Sequence, residues 1–328
     1  MLRKLLFILL FCLSTVSYSL ENFKKHLIEV TLHEQDTVAL NFVKTPELFS
    51  ERWDTLAQPS FWKFVMRMSP GTSILNVAKT RQVLELMSLA EWDQFSDDEK
   101  EAYRDTLRKR HDLAPDTRIF MTTGKSDFFQ FDKVFPSISR GVEVFAENNT
   151  DPWYAQAILM IESPGKIAYS NVGALGPFQL MKSVARNHGL RVDKYVDERK
   201  DFDKSAKASA HLIRTACIPE ARRILRKFGI VVEGEDEYQL WFRLIVMHCY
   251  HAGAGNVEGV LSNVVKPSTG GQALIKKLWQ SEYGGFRNAS QNYSQLALAA
   301  LIILDDLILK KCSDICEYEL RAENNFQE

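Results

Sequence analysis

The segment YQLWFRLIVMHCYHAG, residues 238–253, constrains the fold more than any other part of the chain. Its apolar side chains lie nearly all round a helix, which is the pattern of a helix that is buried on every side. The helix is predicted to break at Gly253-Ala254-Gly255, directly after Tyr250 and His251. We therefore expect a central, buried helix whose last turn presents these two side chains at a bend of the chain.

Helical signals also dominate the rest of the sequence. Ser96-Asp97-Asp98-Glu99 is a capping box, and the helix that it opens is predicted to stop before Pro115. The best strand candidate is RIFMTT, residues 118–123. The sequence thus predicts a mainly α protein with little β.

The first 19 residues are predicted to be a secretory signal peptide. Arg3 and Lys4 give it a basic start, an apolar run follows, and Ser17-Tyr18-Ser19 gives it a small-x-small end, with cleavage after Ser19. The run is shorter than the roughly 20 apolar residues that a membrane-spanning helix needs. We therefore expect an exported protein of the periplasm or cell envelope that is soluble, or at most peripherally bound to membrane or cell wall.

A boundary is predicted between residues 125 and 136. Residues 20–130 are expected to form a helical N-terminal region that shows no recognisable chemistry and packs on the following part. Residues 131–328 carry every candidate site and are expected to form the catalytic domain.

Composition gives no support to nucleic acid as the main partner. The 328 residues carry a formal net charge of −1, so no strong field favours nucleic acid, whereas a neutral glycan is compatible with it. The one basic cluster fits the solvated face of an amphipathic helix. This cluster consists of Arg222, Arg223, Arg226 and Lys227.

Four cysteines remain after removal of the signal peptide: Cys217, Cys249, Cys312 and Cys316. Four cysteines permit three pairings, and the sequence does not choose between them. Two disulfides, or two buried thiols with one local disulfide, are both open.

Glu162 is the candidate for acid–base chemistry. Asp151 is a natural N-cap and Pro152 a natural first residue, so a helix is predicted to begin there and to end near Pro164. Glu162 then lies in the last turn, at the negative end of the helix dipole. With apolar cover its pKa would rise toward neutrality, as a general acid requires. The alternative is an exposed glutamate without function.

The residues after Glu162 predict a bend followed by a helix. Gly173 and Gly176 allow positive φ or close backbone approach. Pro177 is predicted to start the helix, Gly189 to close it, and Gln179 to point back from its first turn. Together with the break after the central helix, this bend predicts a groove.

Three other kinds of site are not supported. TTGKS, residues 122–126, has Ile119 where a phosphate-binding loop needs glycine, so it is predicted to be a turn. His248 and His251 lie one helical turn apart without a clustered third ligand. There is no GxSxG nucleophile motif. We expect no metal and no cofactor.

Taken in order, these motifs resemble the bacterial lytic transglycosylases that carry a soluble-lytic-transglycosylase (SLT) domain, which are related in fold to goose-type lysozyme. The family pattern begins with ES, continues with S-x-x-G-A-x-G-x-x-Q-x-M and Y-N-A-G, and ends with E-T-x-x-Y. The matching residues are Glu162, Ser163, Ser170, Gly173, Ala174, Gly176, Gln179, Met181, Tyr250, Ala252, Gly253 and Tyr293. Residues 196–213 look similar to the type D membrane-bound branch, although its LysM repeats are absent.

The resemblance implies a lysozyme-like helical domain that cleaves the β-1,4 bond between N-acetylmuramic acid and N-acetylglucosamine in peptidoglycan. It implies one catalytic glutamate, Glu162, and a 1,6-anhydro product formed without water. It also implies a set of residues that bind the glycan strand. These are Ser163, Ser170, Gly173, Gln179, Met181, Tyr250, His251 and Tyr293.

Two departures from the family pattern leave rivals open. His251 replaces a smaller asparagine, and Ala289 removes a carboxylate that in the family supports the site. The rivals are a cell-wall-binding protein without turnover and a lysozyme-type hydrolase. The mode of cleavage along the strand, the need for stem peptides and the oligomeric state stay open.

Overall fold

The computed structural model describes residues 27–33, 37–162 and 173–325. The described strands are β1 Leu27–His33, β2 Thr37–Val43, β3 Thr72–Val77, β4 Val83–Ser88 and β5 Ile119–Thr123. The described α-helices are α1 Glu47–Ser50, α2 Ala57–Arg67, α3 Leu89–Trp92, α4 Asp97–Arg110, α5 Phe135–Glu147, α6 Trp153–Glu162, α7 Lys182–Asn187, α8 Phe202–Leu212, α9 Ile218–Arg226, α10 Leu240–Ala252, α11 Ala254–Val260, α12 Gln272–Trp279 and α13 Asn288–Asn325. Two π-helical turns, Ile213–Cys217 and Leu261–Val265, extend α8 and α11.

The core is built around α6 and α10. Every residue of α10 from Leu240 to Cys249 is buried, and so is every residue of α6 except Glu162. Gly253 ends α10 with a φ of 80°, in the region that favours glycine. The prediction of a central helix that breaks there is confirmed.

A buried ion pair joins the start of α6 to α10. Asp151 Oδ2 accepts from Arg243 Nε at 2.8 Å, with both side chains less than a tenth exposed. Asp151 Oδ1 also accepts from the backbone N–H of Trp153 at 3.0 Å, which is the predicted N-cap. The Arg243 guanidinium stacks over the Trp153 ring at 5.3 Å from its centroid. The charge is therefore paired, hydrogen bonded and covered, as burial of an ion demands.

The N-terminal hairpin packs on α5 and α6. β1 and β2 pair antiparallel, from Leu27 opposite Val43 to His33 opposite Thr37. The buried amide of Gln156 accepts from the N–H of Val43 and donates to its carbonyl, both at 2.8 Å. This side chain satisfies the end of β2, and the hairpin thereby becomes part of the main core.

A second, smaller core lies between a three-stranded sheet and α4. The sheet has the antiparallel order β4–β3–β5. Its contact with α4 buries Leu75, Met87, Trp92, Leu107 and Ile119. Both bonds of the predicted capping box are present at Ser96 and Glu99. The turn after β5 contains Gly124, where a Cβ would lie 2.1 Å from the Ser69 carbonyl oxygen, so only glycine fits.

The mainly α class is confirmed, as is the strand at RIFMTT. The N-terminal region is richer in β than expected, because β1 to β4 were not predicted. Their short apolar runs do not distinguish strand from buried helix by period alone.

The expected packing of this region on the rest is observed: α2 lies along α13, where Trp62 Nε1 donates to Gln295 Oε1 at 3.1 Å. The domain boundary stays a prediction, as does the signal peptide, which lies outside the described residues.

One described helix segment, Asn288–Leu309 of α13, is long and apolar enough to cross a membrane by length and composition. Its mean hydropathy is 1.4, but 67% of the apolar window is buried inside the protein. Burial of this kind is the pattern of a core helix.

We predict that Asp151→Asn destabilises the fold by about 3 kcal/mol, because it leaves the buried Arg243 charge without a carboxylate. The substitution keeps the size of the side chain and its capping oxygen. Urea unfolding with an unchanged m-value measures the loss.

The control is the double variant Asp151→Asn/Arg243→Met, which removes both charges and should recover part of the stability. A cost below roughly 1 kcal/mol for the single variant would mean that the pair contributes little.

Candidate active site

A cavity of about 370 Å³ lies where the end of α6, the segment before α7, the Ile213–Cys217 turn and the α10–α11 junction meet. We call it the groove. Five of the predicted site residues line it: Glu162, Gln179, Met181, Tyr250 and His251. Residues far apart in the sequence are thus brought to one place.

Glu162 lies at the end of α6 with its carboxyl group in the groove. It is partly exposed, so a ligand can reach it, while its neighbours remove most water from the carboxyl group. This burial raises the pKa of Glu162 to about 7, and the hydroxyl of Tyr293 opposes the shift. The direction is the one that the sequence predicted, and burial is its principal cause. At pH 7 a large fraction of Glu162 carries a proton.

Tyr293 covers Glu162 from α13. Its ring is buried and stacks on the His251 ring, with centroids 4.2 Å apart and planes 19° from parallel. The Tyr293 hydroxyl makes no hydrogen bond of ordinary length within the described residues, yet it is close enough to Glu162 to influence the pKa of that carboxyl. Burial, and then the Glu162 charge, raise the pKa of Tyr293 well above its usual value. The phenol therefore stays a neutral donor that faces the carboxylate.

His251 lies at the mouth of the groove. Its packed surroundings lower its pKa to about 4, although the residue as a whole remains exposed. The imidazole is therefore neutral at pH 7 and adds no positive charge beside Glu162.

Tyr250 stabilises the wall of the groove by hydrogen bonding. Its hydroxyl donates to the carbonyl of Phe178 at 2.6 Å and lies 3.3 Å from Ser209 Oγ on α8. Burial raises the pKa of Tyr250, so the phenol keeps its proton. The hydroxyl proton of Tyr250 is donated to the Phe178 carbonyl, so the oxygen can only accept a hydrogen bond from a ligand.

The bend before α7 is tighter than predicted. Pro177 does not start a helix: residues 176–179 form a turn closed by paired N–H and C=O groups of Leu175 and Leu180, and α7 begins only at Lys182. Gln179 takes a left-handed φ of 48°. This conformation is incompatible with the first turn of an α-helix, which is why the prediction was wrong. Gly189 ends α7 with a φ of 90°, as predicted.

Gly176 is required by a close approach. A Cβ at this position would lie 1.8 Å from the carbonyl oxygen of Arg199, and its φ is 88°. Gln179 Nε2 donates to the Gly176 carbonyl at 2.9 Å, which holds the side chain over the bend.

Arg199 supports the bend and was not predicted. Its guanidinium donates to the carbonyls of Gly173 and Leu180, each at 2.9 Å, and pairs with both oxygens of Asp197. A buried arginine aimed at backbone carbonyls leaves no periodic signal in a sequence. In the sequence, Asp197 and Arg199 are only an acidic and a basic residue two positions apart, and this pattern does not indicate a contact with the bend.

The other predicted residues differ in position. Met181 is 41% exposed and forms a wall of the groove. Gly173 is exposed, has a φ of 88° and is not among the residues that line the groove. Ser163 and Ser170 lie outside the described residues, as does the predicted helix end at Pro164.

The groove also contains two thiols and a carboxylate that the sequence analysis did not place there. Cys217 and Cys249 are free and buried, and burial raises the pKa of the Cys217 thiol to about 12 and raises that of Cys249 as well. Both are therefore unreactive thiols. Glu220 lines the groove but accepts two hydrogen bonds from Arg223, at 2.8 and 3.0 Å. It is not among the groups that shift the pKa of Glu162.

His248 does not form a metal site with His251. Its Nε2 is 2.8 Å from Ser294 Oγ, which also accepts from Trp279 Nε1 at 2.7 Å. Burial lowers the pKa of His248 to about 3, so the ring is a neutral part of the core. Across the described ranges, no cluster of three His, Cys, Asp or Glu side chains is placed to hold a metal ion.

The predicted basic cluster is confirmed as the solvated face of α9. Arg222 pairs with Glu237, Arg223 with Glu220 and Glu258, Arg226 with Glu233, and Lys227 with Glu258. Each positive charge of the cluster is therefore paired with a carboxylate.

The raised pKa of Glu162 predicts a stability effect that is independent of activity. Between the unfolded pKa near 4.5 and the folded pKa near 7, the native state binds the extra proton, so wild-type stability falls as pH rises through this window. Glu162→Gln carries no charge at either pH. The variant should therefore gain about 3 kcal/mol relative to wild type between pH 4 and pH 8.

Urea unfolding of both proteins at pH 4, 6 and 8 measures this difference. A constant difference across the series would show that the carboxyl group is not desolvated in the native state.

Comparison with known proteins gives one family match. Residues 144–269 match the family described as the Transglycosylase SLT domain. A search of the curated proteins finds no match to this chain. The family match covers less than half of the chain; it includes Glu162, Gln179, Tyr250 and His251, but neither Tyr293 nor the N-terminal region. At the level of the domain, the chain is therefore similar to the SLT transglycosylases, and the type D assignment stays a prediction.

Proposed function

We propose that this protein is a peptidoglycan lytic transglycosylase. The observation that carries the proposal is a single carboxyl group, Glu162, which is protonated near pH 7 and reachable from an open groove. The similarity to the SLT domain supports peptidoglycan as the substrate. The proposed bond is the β-1,4 link from N-acetylmuramic acid to N-acetylglucosamine.

Glu162 has two roles in the proposed reaction. As an acid, it gives its proton to the glycosidic oxygen while the bond from this oxygen to the anomeric carbon breaks. The resulting carboxylate then takes the proton of the muramoyl 6-hydroxyl, whose oxygen attacks the anomeric carbon. Glu162 regains its proton, the sugar closes as the 1,6-anhydro form, and no water is consumed.

The surroundings of Glu162 suit both steps. Before the reaction, apolar neighbours keep the proton on the carboxyl group. After proton transfer, the neutral hydroxyl of Tyr293 can donate to the carboxylate, which limits the cost of the buried charge. The substrate's acetamido group would stabilise the cationic centre, so the reaction needs no second carboxylate from the protein.

A specific observation favours one rival. Glu220 also lines the groove, and a paired-carboxylate glycosidase of the lysozyme kind would need such a second acid. Its bonds to Arg223 favour a structural role instead. The proposal therefore assigns the chemistry to Glu162 alone.

The proposed substrate fits the proposed location. Peptidoglycan lies outside the cytoplasmic membrane, and the first 19 residues have the sequence of a signal peptide. We propose that the protein acts in the periplasm or at the cell envelope.

We predict that Glu162→Gln abolishes cleavage of purified peptidoglycan, by at least about 10³-fold, while Glu220→Gln retains most of it. The first change keeps shape and hydrogen bonding but removes the transferable proton. Mass spectrometry of the products is the measurement, since anhydro ends and reducing ends differ by one water.

The rivals give different results in this experiment. Reducing ends together with loss of activity in Glu220→Gln would establish the hydrolase. Binding of glycan without cleavage by wild type would establish a protein that only recognises the cell wall.

We also predict that kcat/KM falls as pH rises through about 7, by roughly tenfold per unit above it, because the free enzyme must start with Glu162 protonated. Initial rates on soluble glycan strands between pH 5 and 9 measure the profile. A kcat/KM that rises through pH 7 would contradict the assignment of Glu162 as the acid.

A further inference from the structure

Arg81 is a buried arginine that pairs with no carboxylate in the part of the chain that the structure describes. It lies in the turn between β3 and β4, only 4% exposed. No ion pair joins it to a described carboxylate; burial alone lowers its pKa to about 10, and its Nε atom has no hydrogen-bond partner. Its φ of 62° is in the left-handed region. An unpaired buried charge and a strained backbone both disfavour the folded state.

The guanidinium of Arg81 is held by two asparagines of α13. One of its nitrogens donates to Asn288 Oδ1 at 3.0 Å and to Asn292 Oδ1 at 2.5 Å. Asn292 Nδ2 in turn donates to Asn288 Oδ1 at 3.2 Å, so the three side chains form one unit.

Aromatic rings, in place of a carboxylate, surround the guanidinium of Arg81. The guanidinium lies 5.5 to 5.7 Å from the ring centroids of Phe61, Trp62 and Phe120. Stacking on three rings stabilises a desolvated arginine in a way that lysine cannot fully reproduce. The N-terminal region thus supplies a rigid socket that presents Arg81 to the first turns of α13.

Those turns carry the tyrosine of the site. Asn292 directly precedes Tyr293, whose ring stacks on His251 and whose hydroxyl faces Glu162. Neither Arg81 nor Tyr293 belongs to the segment that matches the SLT domain, residues 144–269. The contact from the N-terminal region therefore reaches the groove through α13, which lies outside this segment and carries Tyr293.

We propose that Arg81 is a positioning residue of the active site, which fixes the start of α13 through Asn288 and Asn292 and so holds Tyr293 over Glu162. The inference rests on the proposed function for its effect on catalysis. It gives the N-terminal region a role: this region completes the cover of the acid.

The direction of the effect follows from the geometry. If the start of α13 loosens, water reaches the Glu162 carboxyl, burial weakens and the pKa falls. Tyr293→Phe gives the opposite sign, because it keeps the ring as a cover and removes only the hydroxyl that lowers the pKa of Glu162. The other titratable groups of the groove do not lie on the elements that Arg81 joins. They are Cys217, Glu220, Cys249, Tyr250 and His251.

The experiment compares Arg81→Met and Arg81→Lys with wild type. Arg81→Met should lower the pKa of Glu162 by about one unit and reduce kcat roughly tenfold with little change in KM, because substrate contacts are kept while the acid is displaced. Arg81→Lys keeps the charge and one donor group and should fall between the two. The readouts are the pH profile of kcat/KM and the carboxyl ¹³C shift of Glu162, assigned with Glu162→Gln.

Arg67→Met is the matched control. It removes another arginine of the N-terminal region that contacts α13, since Arg67 of α2 donates to Asp306 of α13 at 3.1 Å. Asp306 lies 13 residues beyond Tyr293, roughly 20 Å along the helix. We expect the control to leave the pKa of Glu162 and kcat unchanged.

Equal pKa values in Arg81→Met and wild type, with only the melting temperature reduced, would overturn the proposal and leave Arg81 a structural residue. So would an equal shift in Arg67→Met. If Arg81→Met does not fold, Asn288→Ala removes one of the two acceptors and should shift the pKa in the same direction by less. The carboxyl titration does not require turnover, so it tests Arg81 even if wild type cleaves no peptidoglycan and the proposed function fails.

Discussion

The removal of water from one carboxyl group is the constraint on which the rest of the site depends. Glu162 can hold a proton near pH 7 only if apolar groups surround it and no cation approaches it. Among the residues that the structure describes, no cation lines the groove, and Tyr250, Tyr293 and His251 are neutral around the carboxyl group. The same environment lowers the stability of the native state at alkaline pH, because Glu162 is then an ionised, desolvated carboxylate.

That constraint explains where the charges of this region are placed. Asp151 and Arg243 neutralise one another at the far end of α6 from Glu162. Arg199 is directed to the carbonyls of the bend and to Asp197. Both arginines bind acceptors within the protein and support the shape of the groove. Neither adds a positive charge beside Glu162.

The N-terminal region and the groove are parts of one packed structure. A single core cluster runs from Val30 in β1 to Leu304 in α13. The long helix α13 is an element shared by both parts, because it packs on α2 and on α6 and carries Tyr293. This arrangement makes α13 a route by which contacts outside the groove, such as that of Arg81, can influence the acid.

The sequence by itself determined the helices with strong local signals, and it singled out Glu162 as the candidate acid. The capping box at Ser96, the cap at Asp151 and the uniformly apolar α10 are local patterns, and each formed as predicted. Local patterns also placed Glu162 at a helix end. The strands β1 to β4 and the turn at Pro177 were not predicted. Short apolar runs become strands, and Gln179 takes a left-handed conformation, because of partners that are distant in the sequence.

Only the tertiary structure decided which side chains meet. Arg199 beneath the bend, Glu220 and two thiols in the groove, and Arg81 on α13 are contacts between residues whose separation in sequence carries no periodic signal. The pKa of Glu162 belongs to this second class as well. A helix end gave its direction, but its value near 7 depends on how completely packing excludes water, and that is a property of the folded chain as a whole.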